Sequence, residues 1–311
     1  MESLSKKNIL VTGGTGFIGR HLVKRLLELE NIVTIIDLSL PEPELFSKND
    51  RIKIIKGNIA EQNDLEKLKK IPFDMVFHLA SGASVPNAVK DPEPDFFSTA
   101  YATLKILEIS LRKQVEKFIY LSTVSVFNTN NKMPLNENAQ IKVSSPFGAS
   151  KLTGESYCYA YHRTYGLNTN VIRLFNAFGP GMNKYFIHDM IKKFMKNPQK
   201  VEVLGDGNQI RDYLYIDDVV DAILLVAKKG LAGEDYNLGS GQPYKVIEIV
   251  KKIAELMNIK DFEIHLTNES WAGDIKEWYS NSKKIEKLGF NKKIGIDLGL
   301  KRTIDNIINK K

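Results

Sequence analysis

The sequence has little cysteine and no long apolar run. Cys158 is the single cysteine among 311 residues, which excludes an internal disulfide and a cysteine-based metal cluster. No stretch approaches the ~18–20 apolar residues of a membrane span, and no apolar signal core precedes Ile9. We therefore expect a cytosolic protein with no membrane partner, and we assign no metal site.

Arginine is also scarce, although the chain is basic. Only eight of its 44 basic residues are arginines, against 37 acidic residues, and the formal net charge is +7. The lysines are scattered in pairs and form no basic tail. This distribution favours solvated surfaces over a nucleic-acid site, so we expect no nucleic-acid partner. A modest positive field suits a small anionic substrate.

Short β-branched runs alternate with helical patterns through the first half of the chain. Residues 8–12 form a buried-strand run, and residues 17–29 repeat apolar residues at helical spacing. Further strand candidates follow at residues 32–37, 52–56, 75–79, 118–122 and 171–175. Near-continuous apolar strands separated by helices indicate a parallel sheet covered on both faces, in a doubly wound α/β fold.

The pattern changes after about residue 176. An amphipathic stretch at 186–196 and a strand entering a helix at 210–228 precede shorter, less regular elements. We therefore predict a large domain and a smaller α/β lobe, each built from separate pieces of chain. The predicted ranges are 1–175 and about 210–230 for a Rossmann domain, and 176–209 and about 231–311 for a substrate-binding lobe.

Three glycines follow the first strand and open the first helix. Gly13 permits a tight turn, Gly16 lets a diphosphate approach the helix N-terminus, and Gly19 allows close helix–strand packing. Asp37 ends the second strand, where a carboxylate accepts hydrogen bonds from ribose hydroxyls and repels a 2′-phosphate. The pattern therefore predicts a dinucleotide site that takes NAD rather than NADP.

Short motifs stand at the ends of the later predicted strands. Gly-Asn-Ile occupies residues 57–59, His-Leu-Ala-Ser residues 78–81, Ser-Thr residues 122–123, and Ser-Pro-Phe-Gly-Ala-Ser-Lys residues 145–151. With the glycine spacing, they resemble the extended branch of the short-chain dehydrogenase/reductase superfamily, which includes the nucleotide-sugar epimerases and dehydratases. The resemblance runs from about residue 8 to about residue 300 and implies a Rossmann fold that binds NAD.

The resemblance also implies which residues face the cofactor. Asn58 replaces the aspartate that the family places near the adenine, and an amide can still hydrogen-bond an amino group. Thr99 stands where the family usually has asparagine. The cofactor contacts implied are Gly13, Gly16, Phe17, Ile18, Gly19, Asp37, Leu38, Asn58, Ile59, Leu79, Ala80, Ser81, Thr99, Ser122, Lys151 and Phe175.

The catalytic residues implied by the resemblance are Thr123, Phe147 and Lys151. Thr123 matches a Ser/Thr whose hydroxyl bonds the reacting sugar oxygen. Residues 145–151 match the family's Tyr-x-x-x-Lys segment, but Phe147 replaces the tyrosine. In the family, the lysine binds the nicotinamide ribose and lowers the pKa of the phenol, which exchanges a proton with the substrate. Phe147 has no such proton, so we expect ligand binding with impaired turnover.

Two explanations of Phe147 are open. A tyrosine can have been changed to phenylalanine to trap a substrate complex, or the protein is a natural, non-catalytic relative. We favour the introduced change, because Thr123, Lys151 and the substrate motifs all remain.

Two later segments resemble the family's substrate-binding motifs. Asn176, in residues 173–181, would donate to a substrate diphosphate, and Arg211, in residues 205–220, has the planar fork suited to phosphate. The family's last motif matches Gly-Asp at residues 273–274, but the arginine that often precedes that motif is absent here. The substrate contacts implied are Ser84, Thr123, Asn176, Arg211 and Asp274.

The residues after Thr123 bear on the type of reaction. The 4,6-dehydratases carry Asp-Glu there, whereas this chain has Val124 and Ser125, which perform no acid–base chemistry. A 4-epimerase needs no extra acid or base. The sequence therefore favours an NAD-dependent nucleotide-sugar 4-epimerase, with a UDP-sugar as the default substrate. The alternatives are a 4-ketoreductase, a dehydratase, and a non-catalytic NAD-binding regulatory protein.

The resemblance also implies a homodimer. Ala100, Leu104, Leu107 and Leu111 recur at helical spacing, as do Tyr157, Tyr161 and Tyr165. The family pairs two such helices across a two-fold axis as a four-helix bundle. The alternative is that each apolar stripe only covers the sheet.

Overall fold

The computed structural model describes residues 4–40, 46, 49–82, 85–269 and 275–309. Within these ranges the strands, in chain order, are β1 (Asn8–Thr12), β2 (Ile32–Asp37), β3 (Ile52–Lys56), β4 (Met75–His78), β5 (Lys117–Thr123), β6 (Thr169–Leu174), β7 (Asn176–Phe178), β8 (Lys200–Val203), β9 (Ile210–Tyr215), β10 (Asp235–Leu238), β11 (Pro243–Lys245) and β12 (Glu263–Leu266).

The helices in the same ranges are α1 (Phe17–Glu28), α2 (Gln62–Glu66), α3 (Val85–Lys90), α4 (Pro92–Asp95), α5 (Ala102–Arg112), α6 (Pro146–Tyr165), α7 (Phe186–Lys196), α8 (Ile216–Lys229), α9 (Val246–Leu256), α10 (Lys283–Glu286) and α11 (Ile296–Asn309). A π-helical segment, Phe96–Tyr101, joins α4 to α5, and a 3₁₀ turn, Val124–Val126, follows β5. Among the described residues, no helix is both long and apolar enough to cross a bilayer.

Seven parallel strands form the central sheet, in the order β10-β6-β5-β4-β1-β2-β3. The register places Val11 of β1 opposite Ile35 of β2 and Phe77 of β4. All three side chains are buried, because helices cover both faces of a parallel sheet. The doubly wound α/β fold expected from the sequence is therefore confirmed.

Successive residues of the central strands point to opposite faces and into two separate cores. Val11 packs in the core that contains Leu22 of α1, whereas its neighbour Leu10 packs in the core that contains Ile106 of α5 and Cys158 of α6. The thiol of Cys158 is buried, which raises its pKa well above the ordinary value. α1 and α8 thus cover one face of the sheet, and α5 and α6 cover the other.

A smaller sheet and a strand pair lie outside the central sheet. β9 pairs in parallel with β7 and antiparallel with β11, while β8 pairs with β12. β10 falls in the range predicted for the small lobe, yet it pairs with β6 at the edge of the central sheet. β9 falls in the range predicted for the Rossmann domain, yet it belongs to the smaller sheet. Both departures arise because strand pairing joins distant parts of the chain that local patterns do not connect.

A buried ion-pair network joins α6 to the end strands of the central sheet. The guanidinium of Arg173 on β6 lies 2.8 Å from Glu155 of α6 and 2.6 Å from Asp235 of β10. The side chains of Arg173 and Glu155 are almost fully buried, and Ser122 of β5 donates its hydroxyl proton to Glu155 at 2.5 Å. Charges this deep in a protein stabilise it only while every partner is present.

Replacing Arg173 with methionine should therefore destabilise the fold strongly. Arg173→Met leaves the Glu155 carboxylate buried without its cation, and we expect a loss of about 3–5 kcal/mol in the free energy of unfolding. Urea denaturation followed by circular dichroism measures it. Adding Glu155→Gln to that variant removes the stranded charge and should recover part of the loss.

The matched control is Arg25→Met. Arg25 pairs with Asp221 at 2.9 Å, but its side chain is 47% exposed, so we expect a change within about 1 kcal/mol. If Arg173→Met is as mild as this control, the network does not stabilise the fold.

Candidate active site

The glycine turn between β1 and α1 lies at the carboxyl end of the sheet. Gly13 has φ of +71°, and a Cβ there would lie 2.8 Å from the backbone nitrogen of Ala80 on the loop after β4. A Cβ on Gly19 would collide with the carbonyl oxygen of Gly13. Among the described residues, the Gly13 carbonyl, at 3.3 Å, is the one group near the Cβ position of Gly16. The turn therefore leaves the N-terminus of α1 open to a diphosphate, and Phe17 and Ile18 form its first residues.

Asp37 ends β2 beside this turn. One carboxylate oxygen accepts a hydrogen bond from the backbone of Thr15 at 3.0 Å, and the other accepts one from the backbone of Ser39 at 3.3 Å. Both oxygens keep a lone pair for ribose hydroxyls. Leu38 follows Asp37 and is 64% exposed, so an apolar side chain flanks the carboxylate where an adenosine is expected.

Asn58 follows β3 and holds its own turn. Its side-chain oxygen accepts a hydrogen bond from the backbone of Ala60 at 3.0 Å, and its backbone donates to Asp64 at 2.7 Å. Ile59 is buried in the core beneath this turn. The sequence did not predict the local role of Asn58, which restricts the side chain to one orientation.

His78 at the end of β4 lies in a chain of hydrogen bonds beneath the predicted cofactor site. Its Nδ1 lies 2.6 Å from the hydroxyl of Thr12, and its Nε2 lies 3.0 Å from the hydroxyl of Thr103. Because the Thr103 hydroxyl donates to the Thr99 carbonyl, Nε2 carries the proton. Burial lowers the pKa of His78 to about 3, so the ring is neutral.

Thr12 and Thr99 extend this chain to the loop after β4. The hydroxyl of Thr12 accepts from the backbone of Ala80 at 3.2 Å, and the hydroxyl of Thr99 accepts from the backbone of Gly82 at 2.9 Å. The loop that carries Leu79, Ala80 and Ser81 is thereby fixed at both ends. Thr99 is fully buried, so its hydroxyl orders the predicted cofactor loop rather than projecting from it.

Helix α6 places Phe147 and Lys151 on one side of the strand that ends at Thr123. Ser145 caps the helix by accepting a hydrogen bond from the backbone of Gly148 at 3.2 Å. Lys151 is 3% exposed, and its ammonium group donates to the carbonyl of Leu121 on β5 at 2.9 Å. Burial lowers the pKa of Lys151 to about 8. Phe147 is half-buried, one helical turn before Lys151.

The ends of β5 and β6 contribute Ser122, Thr123 and Phe175. The Thr123 hydroxyl donates to the Ser125 hydroxyl at 3.3 Å and accepts from the Ser125 backbone at 3.2 Å. The Ser122 hydroxyl is bonded to buried Glu155, which turns it towards the ion-pair network. Phe175 is buried in a small apolar cluster that includes Val124.

The predicted substrate residues Asn176 and Arg211 lie on paired strands of the smaller sheet. The amide of Asn176 donates to the Asp212 carbonyl at 2.9 Å. The guanidinium of Arg211 lies 4.8 Å from the ring centroid of Trp278 and donates to the Ile210 carbonyl at 2.9 Å. Stacking on an aromatic face holds the guanidinium plane in one orientation. The remaining predicted substrate residues, Ser84 and Asp274, lie outside the described residues.

Sequence reasoning missed Asp212 and Trp278. Asp212 is fully buried and accepts hydrogen bonds from the backbone and hydroxyl of Ser240, from those of Ser280 and from the backbone of Gly241. It therefore fixes two loops beside Arg211. Its position immediately after a predicted phosphate-binding arginine was the available signal. Trp278 gave none, because the fold alone brings it onto Arg211.

The residues that the structure brings together fit a dinucleotide. The glycine turn offers backbone donors to a diphosphate, and the Asp37 carboxylate offers acceptors to a ribose. Within the described residues, Lys151 uses one of its three ammonium protons on Leu121, and the buried carboxylate of Asp95 has no hydrogen-bond partner. The ammonium protons of Lys151 that Leu121 does not use suit a polar ligand at the other end of the site.

Comparisons with known proteins agree with this geometry. The model of a family described as the NAD dependent epimerase/dehydratase family matches residues 9–239. A putative UDP-glucose 4-epimerase of Methanocaldococcus jannaschii is 31% identical over 302 residues, covering 96% of this chain and 97% of that protein. The human dTDP-D-glucose 4,6-dehydratase is 29% identical over 314 residues, covering 96% and 89%.

Solved structures show the same similarity. The crystal structure of a UDP-glucose 4-epimerase of Thermotoga maritima with UDP-glucose superposes with a TM-score of 0.91 at 32% identity. The match covers 97% of this chain and 99% of that one.

Removing the carboxylate of Asp37 should weaken the discrimination between the two nicotinamide dinucleotides. Asp37→Ala loses a ribose acceptor and a charge that repels a 2′-phosphate, so the ratio of NAD to NADP affinity should fall about tenfold or more. Calorimetric titration of each dinucleotide measures the ratio. Ser39→Ala removes a neighbouring hydroxyl without changing charge and should leave the ratio within about twofold. Equal affinity for NAD and NADP in the unchanged chain would contradict the role of Asp37.

Proposed function

The chain belongs to the NAD-dependent epimerase/dehydratase family, and within it we propose a nucleotide-sugar 4-epimerase that acts on a UDP-sugar and whose turnover is limited by Phe147. Similar proteins include both a UDP-glucose 4-epimerase and a dTDP-glucose 4,6-dehydratase, so overall similarity does not decide between these reactions. The residues around Thr123 support the choice.

The absence of a carboxylate after Thr123 carries the proposal. The next residues are Val124, which is 3% exposed and packs in an apolar cluster, and Ser125, whose hydroxyl accepts from Thr123. A dehydratase must move protons at two further sugar carbons and needs an acid and a base to do so. A 4-epimerase oxidises one carbon and reduces it again after the sugar turns, so it needs the proton carrier at that carbon but no acid or base for the other two carbons.

The proposed roles of the chain's own groups follow from their positions. Bound NAD supplies the acceptor for the hydride. The Thr123 hydroxyl holds the reacting sugar oxygen, and the buried Lys151 ammonium holds the nicotinamide ribose. The side chain at position 147 would take the sugar hydroxyl proton, which a phenyl ring cannot accept. That Phe147 was introduced in place of a tyrosine stays a prediction.

A non-catalytic NAD-binding protein is the second candidate function, because Phe147 removes the proton carrier that the family's reaction uses. The buried, ordered Lys151 and the stacked Arg211 favour the enzyme, since a protein that only senses NAD needs no phosphate-binding arginine in a second lobe. Asp37, which favours NAD over NADP, argues against a 4-ketoreductase. Ser125, which supplies no acid or base, argues against a dehydratase.

We also propose that the chain forms a homodimer through α5 and α6. Tyr165 is 57% exposed and packs edge-on against Tyr161, whose ring centroid lies 5.1 Å away. On α5, Leu107 is buried against the chain's own sheet, while Leu104 and Leu111 remain half-buried. Burying such an aromatic face against a second copy is favourable. We expect a dimer in sedimentation experiments at micromolar concentration, and a monomer would contradict it.

Restoring the phenol should restore turnover. Phe147→Tyr supplies a proton donor and acceptor one turn before Lys151, and we expect kcat to rise by about 10²–10⁴-fold. Product sugars formed from UDP-glucose and UDP-N-acetylglucosamine can be separated and quantified by chromatography. Phe147→Leu, which changes the side chain without adding a proton carrier, should give no gain.

The turnover of each nucleotide sugar must be compared with the affinity with which the same variant binds it. Each nucleotide sugar is therefore titrated into the same variants by calorimetry. No gain in turnover with any nucleotide sugar that binds well would refute the limiting role of Phe147. A 4-keto-6-deoxy product would identify a dehydratase instead of an epimerase.

Arg211 should bind the substrate diphosphate and not the cofactor. Removing one charge-assisted contact costs about 2–3 kcal/mol, so Arg211→Ala should weaken nucleotide-sugar binding about 30- to 150-fold. NAD binding should stay within about twofold, because the glycine turn serves that diphosphate. Arg302→Ala, which removes another arginine near a tyrosine ring, should change neither affinity. Loss of NAD binding with sugar-nucleotide binding intact would reverse the two assignments.

A further inference from the structure

His21 lies on the second turn of α1, and its side chain reaches a distant part of the chain. Its Nε2 lies 2.9 Å from the carbonyl oxygen of Pro180, and the two residues are 159 positions apart in the sequence. Because a carbonyl oxygen only accepts, Nε2 carries the proton and donates it. Burial is the largest influence on the pKa of His21 and lowers it, so the neutral ring uses its one N–H on Pro180.

Pro180 is the middle residue of a Gly-Pro-Gly turn, residues 179–181, that follows β7. Asn176, the predicted substrate residue, begins β7 three residues before this turn. Gly181 has φ of +84°, a conformation that favours glycine. Its backbone donates to the side-chain oxygen of Asn306 on α11 at 2.9 Å. The Gly-Pro-Gly turn is therefore bonded to α1 on one side and to α11 on the other.

The ring of His21 also contacts the first turn of α1. Its centroid lies 5.8 Å from that of Phe17, and the two rings meet edge to face. Phe17 is the first residue of α1 and follows Gly16, the N-cap residue. The backbone donors expected to hold the NAD diphosphate belong to this same turn. Ordering of that turn by NAD therefore restrains the ring that packs on it.

Arg20 gives a second contact between the glycine turn and the Gly-Pro-Gly turn. Its guanidinium donates to the carbonyl oxygens of Thr15 and Gly16 at 3.3 Å and 3.4 Å. A Cβ on Gly181 would lie 3.5 Å from Nη1 of Arg20 and 3.8 Å from Nε2 of His21, so both side chains lie against the Gly181 backbone. Arg20 only packs there, whereas His21 supplies a directional hydrogen bond.

We propose that His21 is a positioning residue that transmits NAD binding to the Gly-Pro-Gly turn, so that the cofactor steadies the segment leading from Asn176 to α7. NAD restrains the first turn of α1, and the bond from His21 passes that restraint to Pro180. A ligand that contacts this segment then binds to a backbone that is already ordered. The proposal needs only NAD binding, so it stands or falls separately from the proposed 4-epimerase activity.

Hydrogen–deuterium exchange followed by mass spectrometry tests the proposal in the full chain. Peptides that cover residues 179–186 are compared in NAD-free protein and in protein saturated with NAD. In the unchanged chain, we expect NAD to slow exchange in this segment about fourfold or more. His21→Phe keeps an aromatic ring and lacks the N–H, so there NAD should slow exchange less than about twofold. Residues 13–19 should still be protected by NAD in that variant.

Two further variants serve as controls. His21→Gln places an amide N–H as many bonds from the backbone as Nε2 is, so NAD should slow exchange at residues 179–186 as in the unchanged chain. His162→Phe removes another bond from a histidine to a backbone carbonyl, that of Leu167 at 3.0 Å near the end of α6. The effect of NAD on residues 179–186 should remain in that variant too.

Two results would overturn the proposal. One is an effect of NAD on residues 179–186 that is as large in His21→Phe as in the unchanged chain, even if exchange there is faster throughout, since His21 would then only stabilise the turn. The other is no effect of NAD on these residues in the unchanged chain. If His21→Phe does not fold, His21→Asn replaces it, because its amide is one atom too short to reach Pro180. The effect of NAD should be lost there as well, and its retention would contradict the proposal.

Discussion

The position of α6 against the central sheet depends on one buried carboxylate, Glu155. Because Arg173 and Ser122 both bind it, the helix is attached at once to β5 and β6. Lys151 lies one turn earlier on the same helix and bonds the carbonyl of Leu121, two residues before Thr123. These contacts fix the spacing between Lys151 and the end of β5 by electrostatics as well as by apolar packing.

Asp212 is the buried carboxylate that plays the same part in the smaller sheet as Glu155 plays in the central sheet. It gathers backbone and hydroxyl donors from two loops that are distant in sequence, Ser240–Gly241 and Ser280. Trp278, which stacks on Arg211, lies two residues before Ser280. Both candidate sites are therefore ordered by acidic residues that are buried behind the groups expected to contact ligands.

The elements that the sequence predicts well are those whose signal is local. Residues 32–37, 52–56 and 186–196 have the predicted bounds, because short runs rich in β-branched residues mark strands and a 3.6-residue period marks an amphipathic helix. Predictions fail where distant segments meet, as for β10 at the edge of the main sheet and Trp278 on Arg211. Asp95 was missed because a polar residue in a short charged helix looks solvent-exposed until its burial is known.

The pairing of β10 with β6 has a consequence for the order in which the chain is made. β6 ends at Leu174 and β10 begins at Asp235, so a growing chain completes six strands of the sheet long before the seventh exists. Until then, β6 is an apolar edge strand with unpaired backbone groups, and Arg173 lacks one of its two carboxylates. Such edges are where nascent chains pair wrongly with one another. The edge of β6 is therefore exposed to wrong pairing in a newly synthesised chain until β10 joins the sheet.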